Sequence, residues 1–387
     1  MPVVTNLEDL RQIARRKIPK AIFEFVDHGS YDQVTLGKNR DELKAIRFRQ
    51  KVLIDAENRS LSTTMLGEKV AMPVAIAPTG LTGLVHGDGE ILGARAAEAA
   101  GIRFCLSTMS ICSIEDVRAA TKAPFWFQLY VFRDRGFSES VIERAKAAGC
   151  TALFLTVDLP MRGQRHCDIK NGLTVPPRLT ARNAIDIASK PAWALGVLMG
   201  KRKSFGNIDV YLNNKKGMWT AGKWGADNFD ASLSWDDVTW IRKLWPHTLV
   251  IKGVLDVEDA RRAADMGADG IVVSNHGGRQ LDGAPATISV LPRIAEAVGE
   301  RIEVLLDSGV RSGQDVLKAL ALGAKGCLIG RAFLYGLGAM GEAGVSKALS
   351  LIAEELKVSM SLTGVRTIKD ISRDILFDYG EDRGRNI

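Results

Sequence analysis

Short apolar runs alternate with stretches of helical spacing from Pro73 onward, and this alternation is the most regular pattern in the chain. A short apolar run bounded by turn residues is typical of a buried parallel strand. The runs predict strands at residues 74–77, 104–107, 126–129, 152–157, 249–251, 271–274, 304–306 and 327–329.

A glycine recurs at matching positions before four of these strands, namely Gly101, Gly149, Gly267 and Gly323. Glycine at such a position ends a helix in the left-handed conformation and turns the chain into the next strand. Repeated strand–helix units with short turns predict parallel strands joined by right-handed crossovers. We therefore predict an α/β fold, a (β/α)₈ TIM barrel at about residues 73–340, within a single domain spanning 1–387.

Polar or charged residues follow every predicted strand on its downstream side. In chain order these residues are Pro78 and Thr79, Ser107, Gln128 and Tyr130, Thr156 and Asp158, Lys252, Asn275 and His276, Asp307, and Gly330 and Arg331. A closed barrel brings these strand ends together, whereas a doubly wound open sheet would spread them along a crevice. The pattern favours one site at the C-terminal end of a barrel.

Two segments depart from the repeat. Residues 7–25 have helical spacing interrupted at Pro19, can be capped by Thr5 or Asn6, and are expected to pack across one end of the barrel. An insertion at about 170–235 follows the fourth strand and contains the apolar run 193–199 followed by three basic residues. We interpret this excursion as an active-site lid, and the alternative is a peripheral membrane contact.

Composition narrows the class of protein. The 387 residues are 46% hydrophobic and 25% charged, which is globular, and no apolar run reaches the ~20 residues of a membrane span. The five cysteines form no Cys-x-x-Cys pair and the N-terminus has no secretory signal, so we expect reduced thiols in a cytoplasmic protein. We expect neither a metal nor a nucleic-acid partner, and the net charge of +7 leaves an anionic substrate or membrane surface possible.

The late strand ends have the residues of a phosphate site. Arg311 follows the glycine-bearing run Asp307-Ser308-Gly309, and Arg331 follows Gly330. In TIM barrels the loops after the seventh and eighth strands frequently bind phosphate. A phosphorylated ligand, either substrate or cofactor, is therefore expected here.

A second group suits a carboxylate and a proton transfer. Arg165 and Arg279 at one site would repel each other unless an anion lies between them, and a carboxylate matches the guanidinium fork. His276 is three residues from Arg279, and Asp158 can pair with its ring, so that the imidazole acts as a base. Lys252 is a lone cation that could stabilise negative charge or form a Schiff base.

The motif Ser274-Asn275-His276-Gly277-Gly278-Arg279-Gln280 resembles the signature of FMN-dependent enzymes that oxidise L-2-hydroxy acids. The resemblance covers nearly the whole chain. It includes Ala77-Pro78-Thr79-Gly80, Gln128-Leu129-Tyr130, Thr156-Val157-Asp158, Lys252-Gly253, and the segment from Asp307 to Arg331. The bacterial respiratory L-lactate dehydrogenases are the members it resembles most.

The resemblance implies a role for each residue. His276 would be the base with Asp158 paired to it, Arg165 and Arg279 would hold the substrate carboxylate, and Tyr130 would contact the substrate hydroxyl. Lys252 would lie near the N1–C2=O edge of the flavin. The implied FMN-binding residues are Pro78, Thr79, Ser107, Gln128, Thr156, Lys252, Asp307, Ser308, Gly309, Arg311, Gly330 and Arg331.

Phe25 departs from the family pattern, because many members have at this position a tyrosine that donates to the substrate carboxylate. The absence of that tyrosine removes a hydrogen bond of roughly 1.5–3 kcal/mol and allows a longer or bulkier acid as substrate. The expected reaction is L-lactate to pyruvate, and the alternatives are an oxidase using O2 on a longer or aromatic acid, a Schiff-base aldolase using Lys252, and a non-enzymatic phosphate-ligand sensor.

The resemblance also implies partners. Gly80 resembles the dehydrogenase members, which favours a quinone or a cytochrome over oxygen as electron acceptor. A homotetramer is implied, located in the cytoplasm or on the inner face of the cell membrane.

Overall fold

The computed structural model describes residues 3–55, 57–173, 178, 180–198, 200–213 and 217–377. Three helices precede the barrel, α1 (Leu7–Lys17), α2 (Lys20–Asp27) and α3 (Val34–Ala45). The side chain of Asn6 accepts a hydrogen bond from the N–H of Asp9 and caps α1, while Pro19 separates α1 from α2. The predicted capped helix with a break at the proline is confirmed.

An antiparallel hairpin that the sequence pattern did not predict comes next, formed by β1 (Thr63–Met65) and β2 (Glu68–Val70). Its apolar residues Met65, Leu66 and Val70 are buried against the barrel interior, where the rings of Trp126 and Phe154 stack with centroids 5.1 Å apart. The hairpin therefore plugs the N-terminal end of the barrel.

Eight parallel strands form the closed barrel, and all eight predicted strands are confirmed, with no strand end displaced by more than three residues. They are β3 (Val74–Ile76), β4 (Arg103–Ser107), β5 (Trp126–Leu129), β6 (Ala152–Thr156), β7 (Thr248–Val254), β8 (Gly270–Val273), β9 (Glu303–Leu306) and β10 (Gly326–Ile329). Each strand pairs with its neighbours in chain order, and β10 closes the barrel against β3.

Helices follow the strands and form the outer layer. In chain order they are α4 (Gly89–Ala99), α5 (Ile114–Ala120), α6 (Arg135–Ala147), α7 (His166–Lys170), α8 (Ala181–Ala188), α9 (Pro191–Leu198), α10 (Gly206–Leu212), α11 (Met218–Asp227), α12 (Trp235–Leu244), α13 (Val257–Asp265), α14 (Thr287–Val298), α15 (Gly313–Ala321) and α16 (Arg331–Leu362). The described ranges also contain three short 3₁₀ helices, Thr82–Leu84, Ile368–Asp370 and Arg373–Ile375.

The turns between helix and strand have the predicted geometry. Gly101, Gly149, Gly267 and Gly323 have φ between +66° and +106°, which is the left-handed region that glycine adopts without steric cost. The (β/α)₈ architecture is therefore confirmed.

The insertion is largely helical, and its first half, α8 and α9, lies against the N-terminal segment and the loop after β3. The indole Nε1 of Trp193 donates to the carbonyl of Leu84 at 2.8 Å, and Lys190 Nζ donates to the carbonyl of Arg16 at 2.7 Å. Arg202 forms ion pairs with Asp88 and Asp116, each at 2.8 Å.

Pro176, Pro177 and Met199 of the insertion lie outside the described residues. No helix in the described ranges combines the length and apolarity that a bilayer crossing requires.

Candidate active site

A histidine–carboxylate pair lies at the C-terminal end of the barrel. His276 follows β8, Asp158 follows β6, and their Nδ1 and Oδ1 atoms are 2.9 Å apart. The strand between them, β7, carries Gly253, whose φ is +111°. A Cβ on Gly253 would lie 2.6 Å from the Cβ of Asp158, so only glycine leaves room for the carboxylate to reach the ring.

Electrostatics set the protonation states of this pair. Burial raises the pKa of Asp158, but the His276 ring and the Lys252 ammonium outweigh burial, and the net pKa is lowered. Burial lowers the pKa of His276 below its ordinary value of 6.5 despite the opposing effect of Asp158. At neutral pH an ionised Asp158 therefore accepts the Nδ1–H of a neutral imidazole, and Nε2 has a free lone pair.

Two arginines lie beside this pair. Nη1 of Arg279 donates to the carbonyl of His28 at 3.1 Å and also to that of Phe25, and its guanidinium lies 4.8 Å from the centroid of the Phe25 ring. Arg165 immediately precedes α7, and its Nε lies 3.2 Å from the carbonyl oxygen of Arg279. Burial, followed by repulsion from Arg165, lowers the pKa of Arg279. Such a pair favours an anion between the guanidinium groups.

Two residues that sequence reasoning missed support the arginines. Asp168 is buried, with Oδ2 4.0 Å from Arg165 Nη1, and burial raises the pKa of its carboxyl. Gln280 donates from Nε2 to the carbonyls of Asp158 and Met161, each at 3.0 Å, and accepts from Arg165 Nη2 at 3.4 Å. Asp168 lies three residues after Arg165, a spacing at which two side chains can meet on one helical turn, and this is the signal that could have revealed it.

Tyr130 lies within electrostatic reach of the same groups. Its backbone N–H donates to Thr108 Oγ1 at 3.0 Å, which fixes the chain at the end of β5. Burial raises the pKa of its phenol, Asp158 raises it further, and Arg165 and Arg279 lower it. The phenol is therefore a neutral donor at physiological pH.

Lys252 is not the lone cation that the sequence indicated. Its Nζ lies 3.0 Å from Asp307 Oδ2 and 2.8 Å from Ser274 Oγ, because β7, β8 and β9 are adjacent. Burial lowers the pKa of Lys252, but Asp307 and Asp158 outweigh burial, and the net pKa is raised. The interpretation as an isolated cation is wrong, and the side chain is a paired ammonium.

Polar atoms without partners lie at the ends of β5 and β6. Gln128 Oε1 accepts from Ser107 Oγ at 3.0 Å, but Gln128 Nε2 and Thr156 Oγ1 are buried without any hydrogen-bond partner in the described part of the chain. Unpaired buried polar atoms cost about 1–3 kcal/mol each. A ligand with ring carbonyls and nitrogens would satisfy them.

The expected phosphate segment is partly occupied by internal hydrogen bonds. Arg331 donates from Nε, Nη1 and Nη2 to the carbonyls of Val26, Gly277 and His28 at 2.8, 2.7 and 2.9 Å. Three of its five N–H groups are therefore used, and burial lowers its pKa to about 10. Because Gly277 adjoins His276, Arg331 also lies at the same end of the barrel as the histidine.

The remaining residues of the segment brace one another. Ser308 Oγ donates to Asp307 Oδ1 at 2.7 Å and accepts the N–H of Gly277 at 2.9 Å, and Gly309 has φ +102°. Burial lowers the pKa of Arg311, whose guanidinium lies 5.6 Å from the Tyr335 ring. Gly330 precedes α16, so the N–H groups of the first turn of α16, which have no partner within the helix itself, adjoin this segment.

Pro78 and Thr79 follow β3, and Thr79 Oγ1 is 2.8 Å from Thr82 Oγ1.

Similarity to known proteins indicates which ligand these strand ends bind. The profile of the family described as FMN-dependent dehydrogenase matches residues 14–378.

The chain belongs to the FMN-dependent dehydrogenase family.

Among its relatives in this family, an L-lactate dehydrogenase of Caulobacter vibrioides is 51% identical and covers 97% of this chain and 98% of its own length. An L-lactate dehydrogenase of Vibrio parahaemolyticus is 48% identical and covers 97% and 99%. The crystal structure of the monotopic membrane protein (S)-mandelate dehydrogenase has a TM-score of 0.93 at 38% identity, and the match covers 97% of this chain and 100% of that one.

FMN is the cofactor of this family, and the residues present fit it. The unpaired donors of Gln128 and Thr156 suit the polar edge of a flavin ring, and the paired ammonium of Lys252 adds positive charge nearby. The start of α16 together with Arg311 suits the phosphate.

Proposed function

We propose that this FMN-dependent dehydrogenase oxidises an L-2-hydroxy acid to the 2-oxo acid, with L-lactate as the first-choice substrate and pyruvate as its product. The observation that carries the proposal is the 2.9 Å contact that holds the His276 ring against Asp158, beside Arg165 and Arg279. A base and a carboxylate-binding pair at one end of the barrel match both reactive groups of a 2-hydroxy acid.

Substrate binding would begin with the arginines. Arg165 and Arg279 bind the carboxylate, which relieves their mutual repulsion, and the phenol of Tyr130 donates to the hydroxyl oxygen. Phe25 contributes its ring face, which already contacts Arg279, to the wall of the pocket.

Proton transfer would use His276. The Nε2 lone pair takes a proton from the substrate, and Asp158 stabilises the imidazolium that forms and keeps Nδ1 protonated. When bound, FMN supplies the two-electron acceptor that the oxidation requires. The flavin ring would be positioned by Gln128, Thr156, Ser107, Pro78 and Thr79.

The phosphate would be held by Ser308, Gly309, Arg311, Gly330 and Arg331. Arg331 has two N–H groups left for this purpose, and the N–H groups at the start of α16 add others. Asp307 would act through Lys252, because its carboxylate pairs with that ammonium.

A longer or aromatic 2-hydroxy acid is the second candidate substrate. Phe25 favours it, because a phenyl ring cannot donate to a carboxylate and leaves the pocket more apolar. The similarity to a mandelate dehydrogenase structure points the same way. An oxidase using O2 on such an acid is the matching alternative, and Gly80 favours a quinone or cytochrome instead.

A Schiff-base aldolase is disfavoured by Lys252 itself. The reaction needs a neutral amine, whereas Asp307 and Asp158 raise the pKa of this ammonium. A sensor that binds without turnover would not require the His276–Asp158 pair.

The experiment that tests the proposal measures turnover of a panel of 2-hydroxy acids with dye, quinone and oxygen as acceptors. The purified protein should be yellow and release FMN on denaturation. Turnover should be highest with an L-2-hydroxy acid and a quinone-type acceptor. A colourless protein that cannot be reconstituted with FMN, or one that turns over none of the panel, contradicts the proposal.

We also propose that the enzyme is a cytoplasmic homotetramer that contacts the inner face of the cell membrane through the insertion. Ile185, Leu195 and Trp219 have 72%, 60% and 51% of their surface exposed. Trp193 and Arg202 instead bind other parts of the protein, so they would dock the insertion rather than contact lipid. If membrane contact is absent, the insertion remains a lid.

A flotation assay with vesicles of mixed zwitterionic and anionic phospholipid tests this location. The double variant Ile185→Asp, Leu195→Asp should lose vesicle binding. Val358→Asp, which places one negative charge on an exposed apolar position of α16, should keep it. Equal vesicle binding by all three proteins would leave the lid as the only role.

A further inference from the structure

A cluster of three potential metal ligands lies beside the active site and takes no part in the chemistry proposed above. Glu24 is on α2, His28 directly follows α2, and Cys167 is on α7. One ligand atom from each lies within 4.8 Å of the other two, and all three residues are partly buried. Sequence spacing did not indicate this cluster, since about 140 residues separate Cys167 from the other two.

We propose that Glu24, His28 and Cys167 bind a divalent zinc-type cation. A thiolate, an imidazole and a carboxylate are the ligands that Zn²⁺ takes in proteins, and three protein ligands leave a fourth tetrahedral position for water. The thiolate and the carboxylate together neutralise the two positive charges of the ion. The mixed sulfur and nitrogen set disfavours Mg²⁺ and Ca²⁺, which prefer oxygen ligands.

Hydrogen bonds hold the side chains of the cluster close to one another. Cys167 Sγ donates to Glu24 Oε2 at 3.2 Å, a separation close to that of two ligands on one tetrahedral zinc. Asn171 Nδ2 donates to the same oxygen at 2.6 Å, which orients the carboxylate as outer hydrogen bonds do at metal sites. Lys20 pairs with Oε1 of Glu24 at 3.5 Å. On binding, the thiol proton is released to solvent and the cation takes its place.

The position of the cluster gives the ion a structural effect. The carbonyl of His28 accepts from Arg279 and Arg331, and Arg165 immediately precedes α7. A cation bound between α2 and α7 would therefore link His28, whose carbonyl accepts a hydrogen bond from Arg279, to the segment that begins with Arg165. It should stabilise the folded protein, because a ligand that binds only the folded state raises the unfolding temperature.

To test the proposal, Zn²⁺ is titrated into the chelator-treated FMN-loaded enzyme in competition with a chromophoric chelator, which measures the stoichiometry and affinity of binding. We expect one equivalent bound per chain, a higher unfolding temperature, and affinity at least tenfold weaker in Cys167→Ser and in Glu24→Gln. His166→Gln is the matched control, because this exposed histidine is adjacent to Cys167 but outside the cluster, and its affinity should equal that of the wild type.

Substitution of Co²⁺ gives a readout independent of activity and stability. A cobalt–thiolate bond produces charge-transfer absorption and intense visible bands, which should appear with the wild type and His166→Gln but not with Cys167→Ser. Zinc binding that is absent, or that is equally tight in Cys167→Ser, would overturn the proposal, as would a cobalt spectrum without thiolate features.

Discussion

The two ends of the barrel handle buried polar groups in opposite ways. At the N-terminal end, Glu68 of the hairpin accepts hydrogen bonds from Arg103 Nε, Trp126 Nε1 and Thr151 Oγ1 at 2.7–2.8 Å. The N–H of Leu66 donates to Glu303 at 2.7 Å. These groups satisfy one another and close the barrel.

At the C-terminal end, several buried side-chain atoms have no hydrogen-bond partner within the described ranges. They are Gln128 Nε2, Thr156 Oγ1, Asp158 Oδ2 and Asp168 Oδ2. Two arginines of lowered pKa lie among them. The two ends of the barrel therefore differ in their polar groups: at the N-terminal end these groups satisfy one another, and at the C-terminal end several remain available to a ligand.

His276→Gln should have the largest effect, because it removes the proposed base without disturbing the plugged end. Turnover of the best 2-hydroxy acid should fall on the order of 10²–10⁴-fold. Steady-state kinetics measures the loss, and the FMN content and unfolding temperature should stay close to wild type. His247→Gln, which lies just before β7 at the other end, should keep wild-type turnover. Near-normal turnover of His276→Gln would exclude His276 as the base.

Glu68→Ala should affect stability rather than chemistry. It leaves Arg103, Trp126 and Thr151 without their shared acceptor, and the free energy of unfolding should fall by about 3 kcal/mol. Denaturant unfolding measures the loss. Glu258→Ala, which breaks an exposed ion pair with Arg261, should cost under about 1 kcal/mol. If Glu68→Ala lowered turnover of the folded enzyme as well, the two ends would not be functionally separate.

Phe25→Tyr should add a hydrogen-bond donor at the C-terminal end of the barrel and lower the KM for L-lactate. A hydrogen bond to a charged group contributes roughly 1.5–3 kcal/mol, which corresponds to at least about tenfold. The methyl ester of lactate, which lacks the negative charge, should gain less. An unchanged or raised KM for lactate would mean that Phe25 does not face the substrate carboxylate.

The pH profile should show the smallest change. His276 must be neutral to accept a proton, so kcat/KM should be lost as the pH falls through a pKa below 6.5. In Asp158→Asn the imidazolium loses its anionic partner, and the pKa of His276 should fall further. The acidic limb of the profile should therefore move to lower pH while the maximal rate drops. An acidic limb that moves to higher pH would contradict the assigned pairing.

The barrel could be predicted from the sequence because its signals are local. Each strand is a continuous apolar run, and glycines such as Gly101 and Gly323 mark the turns that precede it. The hairpin could not be predicted from the sequence, because its strands are three residues long and largely polar. It is stabilised instead by contacts of Met65 and Glu68 with residues distant in the chain.

The sequence could predict which residues lie close together only where the fold class alone brings them together. Asp158 and His276 both follow barrel strands, so closure of the barrel brings them to one end. Their direct contact also depends on Gly253 of the intervening strand, which the sequence contained but did not explain.

The pairing of Lys252 with Asp307 was missed for a similar reason. It depends on side-chain direction within the barrel, which an apolar pattern does not encode. Arg331 likewise donates to carbonyls of the N-terminal segment, and only tertiary structure brings these groups together.

The hydrogen bonds of Arg331 also have a consequence for biosynthesis. They join Val26 and His28, made early by the ribosome, to a residue made some 300 positions later. The early helices cannot acquire these contacts until nearly the whole polypeptide has emerged. This end of the barrel is thus completed late in translation, so a truncated nascent chain can hold most of the strands and still lack these contacts.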